Sequence, residues 1–387
     1  MTPSLDFPAE LYDLVIDHMH GQKHALGACG LVNKAWLISS RYHLFGSVTL
    51  RDSNWKDFVQ LLASPLATFA QSLTTMKISL SNDDESPASS FNELISRLQP
   101  LPTLKGLRLE NVYWTGVTDA TTDLLVELLH DIKELDLHLV VFSTPRDMAA
   151  LVSRFLRLRT AFIYPVFEGG GALQISDYPE IPRSLECLRL RASISTSGSF
   201  SEVAFWFYAG ASLPALRVLE LGILDAQSLP SVGDLLRALG SELHDLNLKL
   251  MYHVTRDDIR AHIDLSRNTN LHSLTVHVSV RRFQRPSSLH APWALLATPH
   301  SPINTLTIVL SIDVVELIDN LDWNFLNTAI RTYPHFQALQ HLNFIVHCHS
   351  TMDTMDKAIR ACVPEFNSRG IVKVTLLHTA RVFTMAT

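Results

Sequence analysis

The sequence predicts an α/β protein, a solenoid of stacked strand–helix units behind a short N-terminal head of three helices. Three observations predict it. An apolar signature, Leu-x-x-Leu-x-Leu with conservative replacements, recurs along most of the 387 residues. The segments between its copies carry helix caps and apolar stripes at helical spacing. Residues 7–50 follow a different, mainly helical pattern, so the head spans residues 1–50 and the solenoid residues 51–387.

In the head, Pro8 suits a first helical position and Glu10 the positive end of a helix dipole. Leu11, Leu14, Val15 and Met19 share one helical face, and His20-Gly21-Gln22 breaks the pattern. A second helix is expected through Ala25, Leu26 and Cys29 to Leu31-Val32, and a third through Trp36, Leu37 and Tyr42. Leu44-Phe45-Gly46-Ser47-Val48-Thr49-Leu50 then reads as strand. Three short helices with this many apolar side chains point to a surface that takes a partner.

Clear copies of the repeat begin at Leu104, Ile132, Leu185, Leu216, Leu243, Leu271, Ile303 and Leu339. Weaker ones begin at Leu73 and Leu158, and Val372-Lys373-Val374-Thr375-Leu376 resembles a final strand. The starts lie 26 to 36 residues apart, room for one strand and one helix. Within a copy the fourth and sixth positions are apolar and their neighbours polar, the period of a half-buried strand.

Between copies, Thr144-Pro145-Arg146-Asp147 offers an N-cap, a first-turn proline and a capping-box acid ahead of Met148, Leu151, Val152 and Phe155. Thr255 and Asp258 repeat that spacing before Ile259 and Ile263, and Leu124, Leu125, Leu128 and Leu129 form another stripe. Such a unit cannot bury both its apolar faces alone, so the units stack, with parallel strands on the concave side. Ten or eleven strands about 4.8 Å apart would line roughly 50 Å of arc. A doubly wound sheet is the alternative, but it would not repeat one apolar pattern in every strand.

The third, fifth and seventh repeat positions point away from the core. Arg108, Phe162, Tyr164, Arg189, Arg191, Glu220 and Asn247 fall on these rows and are the candidate client-binding residues. Aromatic and Arg side chains dominate many protein interfaces, so Phe162, Tyr164, Arg189 and Arg191 mark the favoured patch.

Over roughly positions 73 to 376 the signature resembles the leucine-rich-repeat family, which implies a horseshoe solenoid. The family's Asn at the ninth position is replaced by Val112, Ser193, Leu224 and Met251, so the resemblance is to a divergent, irregular member. The head resembles an F-box. Phe7-Pro8-Ala9-Glu10-Leu11 is similar to that family's Leu-Pro-x-Glu-Leu opening, and Cys29-Gly30-Leu31-Val32-Asn33-Lys34-Ala35-Trp36 to its Cys-Ser-Leu-Val-x-x-x-Trp core. Arg41-Tyr42-His43-Leu44-Phe45 is similar to fungal, basidiomycete-type members. The resemblance implies binding to the Skp-type adaptor of a cullin–RING ubiquitin ligase through Phe7, Pro8, Leu11, Ile16, Leu31, Val32 and Trp36, with the repeats holding a protein client. The head departs from the family at Phe7, where Leu is usual, and at Gly27 and Gly30. As a rival, the three helices only cap the solenoid of a scaffold outside any ligase.

Composition narrows the remaining classes. With 47% hydrophobic and 18% charged residues the chain can bury a large core. A net charge of −6 argues against nucleic acid as a partner. Four scattered cysteines, no apolar run of membrane-spanning length and no signal-peptide pattern lead to the expectation of a cytoplasmic or nuclear protein. Gly169-Gly170-Gly171 lacks the Lys and hydroxyl residue of a phosphate loop, His347-Cys348-His349 lacks further ligands, and Arg281–Arg285 is one short basic run. The acidic, Ser-rich run 81–86 reads as a loop. The expectation is therefore a non-enzyme without cofactor or metal; a catalytic α/β protein would need a pocket of convergent polar groups.

Overall fold

A computed structural model describes residues 8–64, 67–80, 87–168, 178–191, 197–209, 215–251, 253–280, 291–298, 301–312, 315–348 and 351–378. The triglycine at 169–171, the basic run 281–285, the acidic run 81–86 and His349 lie outside the described residues. The chain divides into two compact units, Met1–Glu168 and Gly169–Thr387.

The first unit opens with three helices, α1 (Ala9–His18), α2 (Lys23–Cys29) and α3 (Lys34–Phe45). Strands and helices then alternate as β1 (Ser47–Leu50), α4 (Trp55–Leu62), β2 (Thr75–Ser79), α5 (Pro87–Arg97), β3 (Gly106–Glu110), α6 (Asp119–Leu128), β4 (Glu134–Phe142), α7 (Pro145–Ser153) and β5 (Thr160–Phe167). Each strand pairs in parallel with the next, with repeat position opposite repeat position: Met76 faces Leu107, Leu107 faces Leu135, and Leu135 faces Ala161. The sequence period is thus the structural register. A weak copy the sequence reading passes over, Phe45-x-x-Val48-x-Leu50, supplies β1, which pairs with β2 through Val48 and Met76. The first repeat strand therefore begins before residue 51. Leu44 and Phe45, expected in that strand, close α3 instead.

The second unit continues the alternation. Its strands are β6 (Cys187–Arg191), β7 (Val218–Leu224), β8 (Asp245–Leu250), β9 (Ser273–Val280), β10 (Thr305–Ile312), β11 (His341–Cys348) and β12 (Val372–His378). All pair in parallel in chain order. Between them lie α8 (Ser197–Ala209), α9 (Leu229–Leu239), α10 (Arg256–His262), α11 (Ala291–Ala294), α12 (Trp323–Thr332), α13 (Met352–Cys362) and α14 (Pro364–Ser368).

The core is the layer between the strands and the helices. Fourth- and sixth-position side chains such as Leu107, Leu109, Leu135, Leu188, Leu219, Leu246 and Leu274 are fully or almost fully buried. Each such residue contributes about 1.5–3 kcal/mol of apolar burial. Both capping boxes form: Thr144 with Asp147 at the start of α7, and Thr255 with Asp258 at the start of α10. All four cysteines are free.

The turn into each strand repeats as closely as the core does. The carbonyl at the second repeat position accepts from two successive N–H groups of the following repeat. Lys105 O receives Lys133 N–H (2.8 Å) and Glu134 N–H (2.9 Å), and Arg217 O receives His244 N–H (2.9 Å) and Asp245 N–H (3.0 Å). Gly46 O does the same for Thr74 and Thr75 (2.9 and 3.0 Å), which makes Phe45–Leu50 a repeat by backbone criteria too. The motif satisfies two orphan donors with one acceptor and sets the entry angle of each strand.

Strand exits are of two kinds. Asn111, Leu139 and Ile223 occupy the same eighth repeat position, and all three are left-handed, at φ 56°, 53° and 62°. At Leu139 and Ile223 the pairing register shifts, so the strand bulges by one residue. The next residues, Val112, Val140 and Leu224, then turn into the core. In β9, β10 and β11 the strand runs straight through this position, and Val278, Leu310 and Val346 point inward there instead.

Candidate interaction surfaces

The helical head has a packed centre and exposed apolar side chains around it. Ile16, Leu26 and Cys29 are buried at its centre, and the Tyr12 and Trp36 rings lie 5.4 Å apart. Asp13 accepts from the Ser39 hydroxyl, and Asp17 pairs with His43 Nε2 at 2.6 Å, tying α1 to α3 along its length. Asn33 caps α3 by accepting from Trp36 N–H (2.9 Å). Away from that centre, Leu11, Leu14, Val15, Leu31, Val32 and Ile38 are exposed, Leu31 at 88% and Ile38 at 74%.

The expected adaptor contacts divide accordingly. Leu11, Leu31 and Val32 face out and Pro8 is exposed ahead of α1, whereas Phe7 lies outside the described residues. Ile16 does not belong with them. It is fully buried, because its position on α1 shares the inner face with Tyr12 and turns it into the contact with α3. Trp36 is half-buried against Tyr12 and contributes at most an edge. Leu14, Val15 and Ile38 are apolar surface residues absent from the expected contact set; the first two share the stripe of Leu11.

On the strand face of the first unit, fifth- and seventh-position side chains make a continuous chain of contacts. Lys77 pairs with Glu110, and Arg108 reaches both Glu110 (3.0 Å) and Asp136 (3.2 Å). Burial pushes the Glu110 carboxyl up. The hydrogen bonds of Lys77 and Ser79 and the charges of Lys77 and Arg108 outweigh it and hold its pKa below the ordinary value. Next in the row, the His138 ring stacks on Phe162 (centroids 6.2 Å apart, planes at 16°) and meets Tyr164 edge-on at 5.4 Å. Arg108, Phe162 and Tyr164 therefore join one surface, polar at β2–β3 and aromatic at β4–β5.

Arg189, Arg191, Glu220 and Asn247 lie on β6, β7 and β8 of the second unit. Glu220 sits 3.4 Å from Arg189 Nε and 3.8 Å from Arg191 Nη2. Asn247 Oδ1 accepts from His277 Nε2 at 2.9 Å. Burial, joined by the charges of Lys249, His347 and Arg191, lowers the His277 pKa to about 4. Lys249, His277 and His347 belong to this surface without having been singled out; reading the seventh and ninth positions across strands, rather than within each copy, brings them together.

A cleft of about 250 Å³ lies beside Trp114, α6 and α7. Two of its charged groups serve the fold: Asp147 closes the capping box of α7, and Arg154 pairs with Asp123. Among the described residues no group of three His, Cys, Asp or Glu could hold a metal ion, and no helix is long and apolar enough to cross a membrane.

No family model and no curated protein matches the chain. Among solved structures it is similar to the leucine-rich repeat-containing protein LegL7 from Legionella pneumophila. The TM-score is 0.47 at 13% identity, covering 82% of this chain and 98% of that one.

Proposed function

We propose that the chain is a leucine-rich-repeat substrate-recognition adaptor of a Skp–cullin–F-box type ubiquitin ligase. In this reading α1–α3 bind the Skp-type adaptor and the strand faces hold a protein client. The chain does no chemistry of its own; it raises the concentration of client beside the ligase. The observation that carries the reading is the run of exposed apolar side chains on α1–α3. Leu11, Leu14, Val15, Leu31, Val32 and Ile38 form more uncovered apolar surface than three short helices leave without a partner. The Pro8-x-Glu10-Leu11 and Cys29-x-Leu31-Val32 wording of the same segment supports it.

A second reading, a scaffold outside any ligase whose helices only cap the sheet, is favoured by α3. Its last residue, Phe45, packs against Phe69 with tilted rings 5.1 Å apart and starts the first repeat. That contact does not involve Leu31 or Val32, so the two readings separate by substitution. In a pull-down of full-length protein with a Skp-type adaptor, Leu31→Asp/Val32→Asp is expected to abolish capture while circular dichroism and melting stay unchanged. Wild-type protein that captures no adaptor would leave the capping role alone standing.

A further inference from the structure

Helix α8 is apolar on both of its sides. From Phe200 to Tyr208 it reads Phe-Ser-Glu-Val-Ala-Phe-Trp-Phe-Tyr, and Phe200, Val203, Ala204, Trp206 and Phe207 are buried. Glu202, Phe205 and Tyr208, three residues apart, make the stripe on the opposite side and stay half-buried. A helix that is apolar all round is ordinarily covered all round, so this outer stripe calls for something to lie on it.

A fourth side chain joins the stripe. Trp206 Nε1–H donates to Pro179 O at 2.9 Å, which ties the segment carrying Tyr178 to α8. The Tyr178 and Phe205 rings lie 6.5 Å apart with planes at 57°, and Phe205 meets Tyr208 edge-on at 5.2 Å. The polar groups among these rings are unsatisfied. The Tyr178 hydroxyl oxygen is buried and makes no hydrogen bond. Among the described residues Glu202 has neither a hydrogen bond nor an ion pair, and burial holds its carboxyl above the ordinary range with no cation to lower it. Burial and then the charge of Glu202 push the Tyr178 phenol up to about 12. Other helix carboxylates of this unit are paired, Asp234 with Arg237 at 2.7 Å and Asp356 with Arg360 at 2.8 Å. One cation placed over the stripe would relieve both Glu202 and Tyr178.

We propose that Glu202, Tyr178, Phe205 and Tyr208 form a docking site for an arginine side chain carried by a segment of a partner protein. A guanidinium is flat and lies on ring faces, its fork matches both oxygens of Glu202, and a remaining N–H can be accepted by the Tyr178 oxygen. An ammonium is a more strongly hydrated point charge and gains less from the rings. A purely apolar partner would bury the Glu202 charge further without a counter-charge, and an acidic one would be repelled. The charge therefore decides the occupant. The site lies on the helix side of the second unit, away from the fifth and seventh strand positions, so it adds to the function above and rests on neither half of it.

The test is saturation-transfer NMR on full-length protein, titrated at constant ionic strength with the capped amides of arginine, lysine and citrulline. The arginine probe is expected to bind, the lysine probe about threefold or more weakly, and the uncharged citrulline probe about tenfold more weakly or not at all. Glu202→Gln is expected to weaken the arginine probe about tenfold or more, and Phe205→Leu about two- to fivefold. Asp353→Asn, on the exposed side of α13, should leave it unchanged, which excludes a general attraction to an acidic chain. Glu202→Gln should also melt no lower than wild type, because it removes a charge that nothing in the fold offsets. No saturation transfer in wild type would overturn the proposal, as would equal binding of arginine and citrulline or an unchanged affinity in Glu202→Gln. A lower melting temperature in Glu202→Gln would overturn it too, by showing that the carboxylate holds the fold. Free arginine binding about tenfold more tightly than its capped amide would overturn the partner segment as the source of the guanidinium.

Discussion

Asn268 is a buried polar side chain whose removal should be felt well beyond its own position. It is fully buried, and its carboxamide Nδ2 donates to Leu236 O and to Gly240 O, both at 2.9 Å, across 32 and 28 residues of sequence. The two acceptors are not equivalent. Leu236 O also receives the Gly240 N–H that ends α9 and would keep that partner, whereas Gly240 O loses the bond to Asn268 in a turn held at φ +52°. In Asn268→Ala, the Leu236 bond is worth about 1 kcal/mol and the Gly240 carbonyl, stripped of its partner, about 1–2. The space left by the carboxamide adds about 1 more. The sum is a loss of about 3–4 kcal/mol in urea-induced unfolding followed by circular dichroism, with the midpoint shifting and the slope preserved. Asn268→Asp, which keeps the volume but replaces the donor with a carboxylate facing two carbonyls, should cost at least as much near neutral pH. A loss below about 0.5 kcal/mol in Asn268→Ala would refute the reasoning, because surface substitutions change stability by that much without losing any such bond.

Two further outcomes follow from the same unit. Ile223→Gly should change stability by less than about 1 kcal/mol, since the relief of a β-branched side chain at φ 62° offsets the lost packing, whereas Leu221→Ala, two residues earlier and fully buried, should cost about 2–5 kcal/mol; comparable losses in the two would mean that Ile223 is not strained. His277, whose pKa is lowered to about 4 by burial and by Lys249, His347 and Arg191, takes up its proton more readily once unfolded, so its contribution is complete above about pH 6.5 and is lost as pH falls toward 4; His277→Gln should flatten the melting-temperature profile in that window, and an unchanged slope would exclude the residue as a source of acid sensitivity.

The repeating architecture was legible because one physical requirement is imposed many times. Every strand must bury its fourth and sixth residues, so even the copy reduced to Ala161 and Ile163 keeps its place, with both side chains fully buried in β5. Capping boxes were legible for a similar reason: Thr144 and Asp147 satisfy each other's backbone within four residues, and no distant contact is required. The first strand escaped because Phe45-x-x-Val48-x-Leu50 overlaps the end of a helix. Phe45 fits both patterns, and only the backbone bonds of Thr74 and Thr75 to Gly46 O decide between them. Ile16 went astray for the opposite reason. A motif read as a surface places every apolar residue on it, but a helix packed on one side must turn one stripe inward, and Tyr12 and Ile16 are that stripe.

The strand exits and the charged rows were harder to read, and for one shared reason. Whether residue eight of a repeat points in or out depends on a single left-handed residue, and neither Leu139 nor Ile223 announces that conformation as a glycine would. Asn111 alone does, being a residue type that tolerates it. The bulge at Ile223 adds one residue to β7 just beyond Gly222, the position over which Arg191 lies. The place of Arg191 thus depends on a residue without a side chain and a strand that bends immediately after it. Giving Gly222 a side chain should move Arg191 while leaving Lys249 and His277 paired across β8 and β9. Gly222→Val, whose nearest new contacts are atoms of the flexible Arg191 side chain, is therefore expected to change stability by less than about 0.5 kcal/mol in thermal unfolding, and a larger loss would mean that the strand cannot absorb the shift.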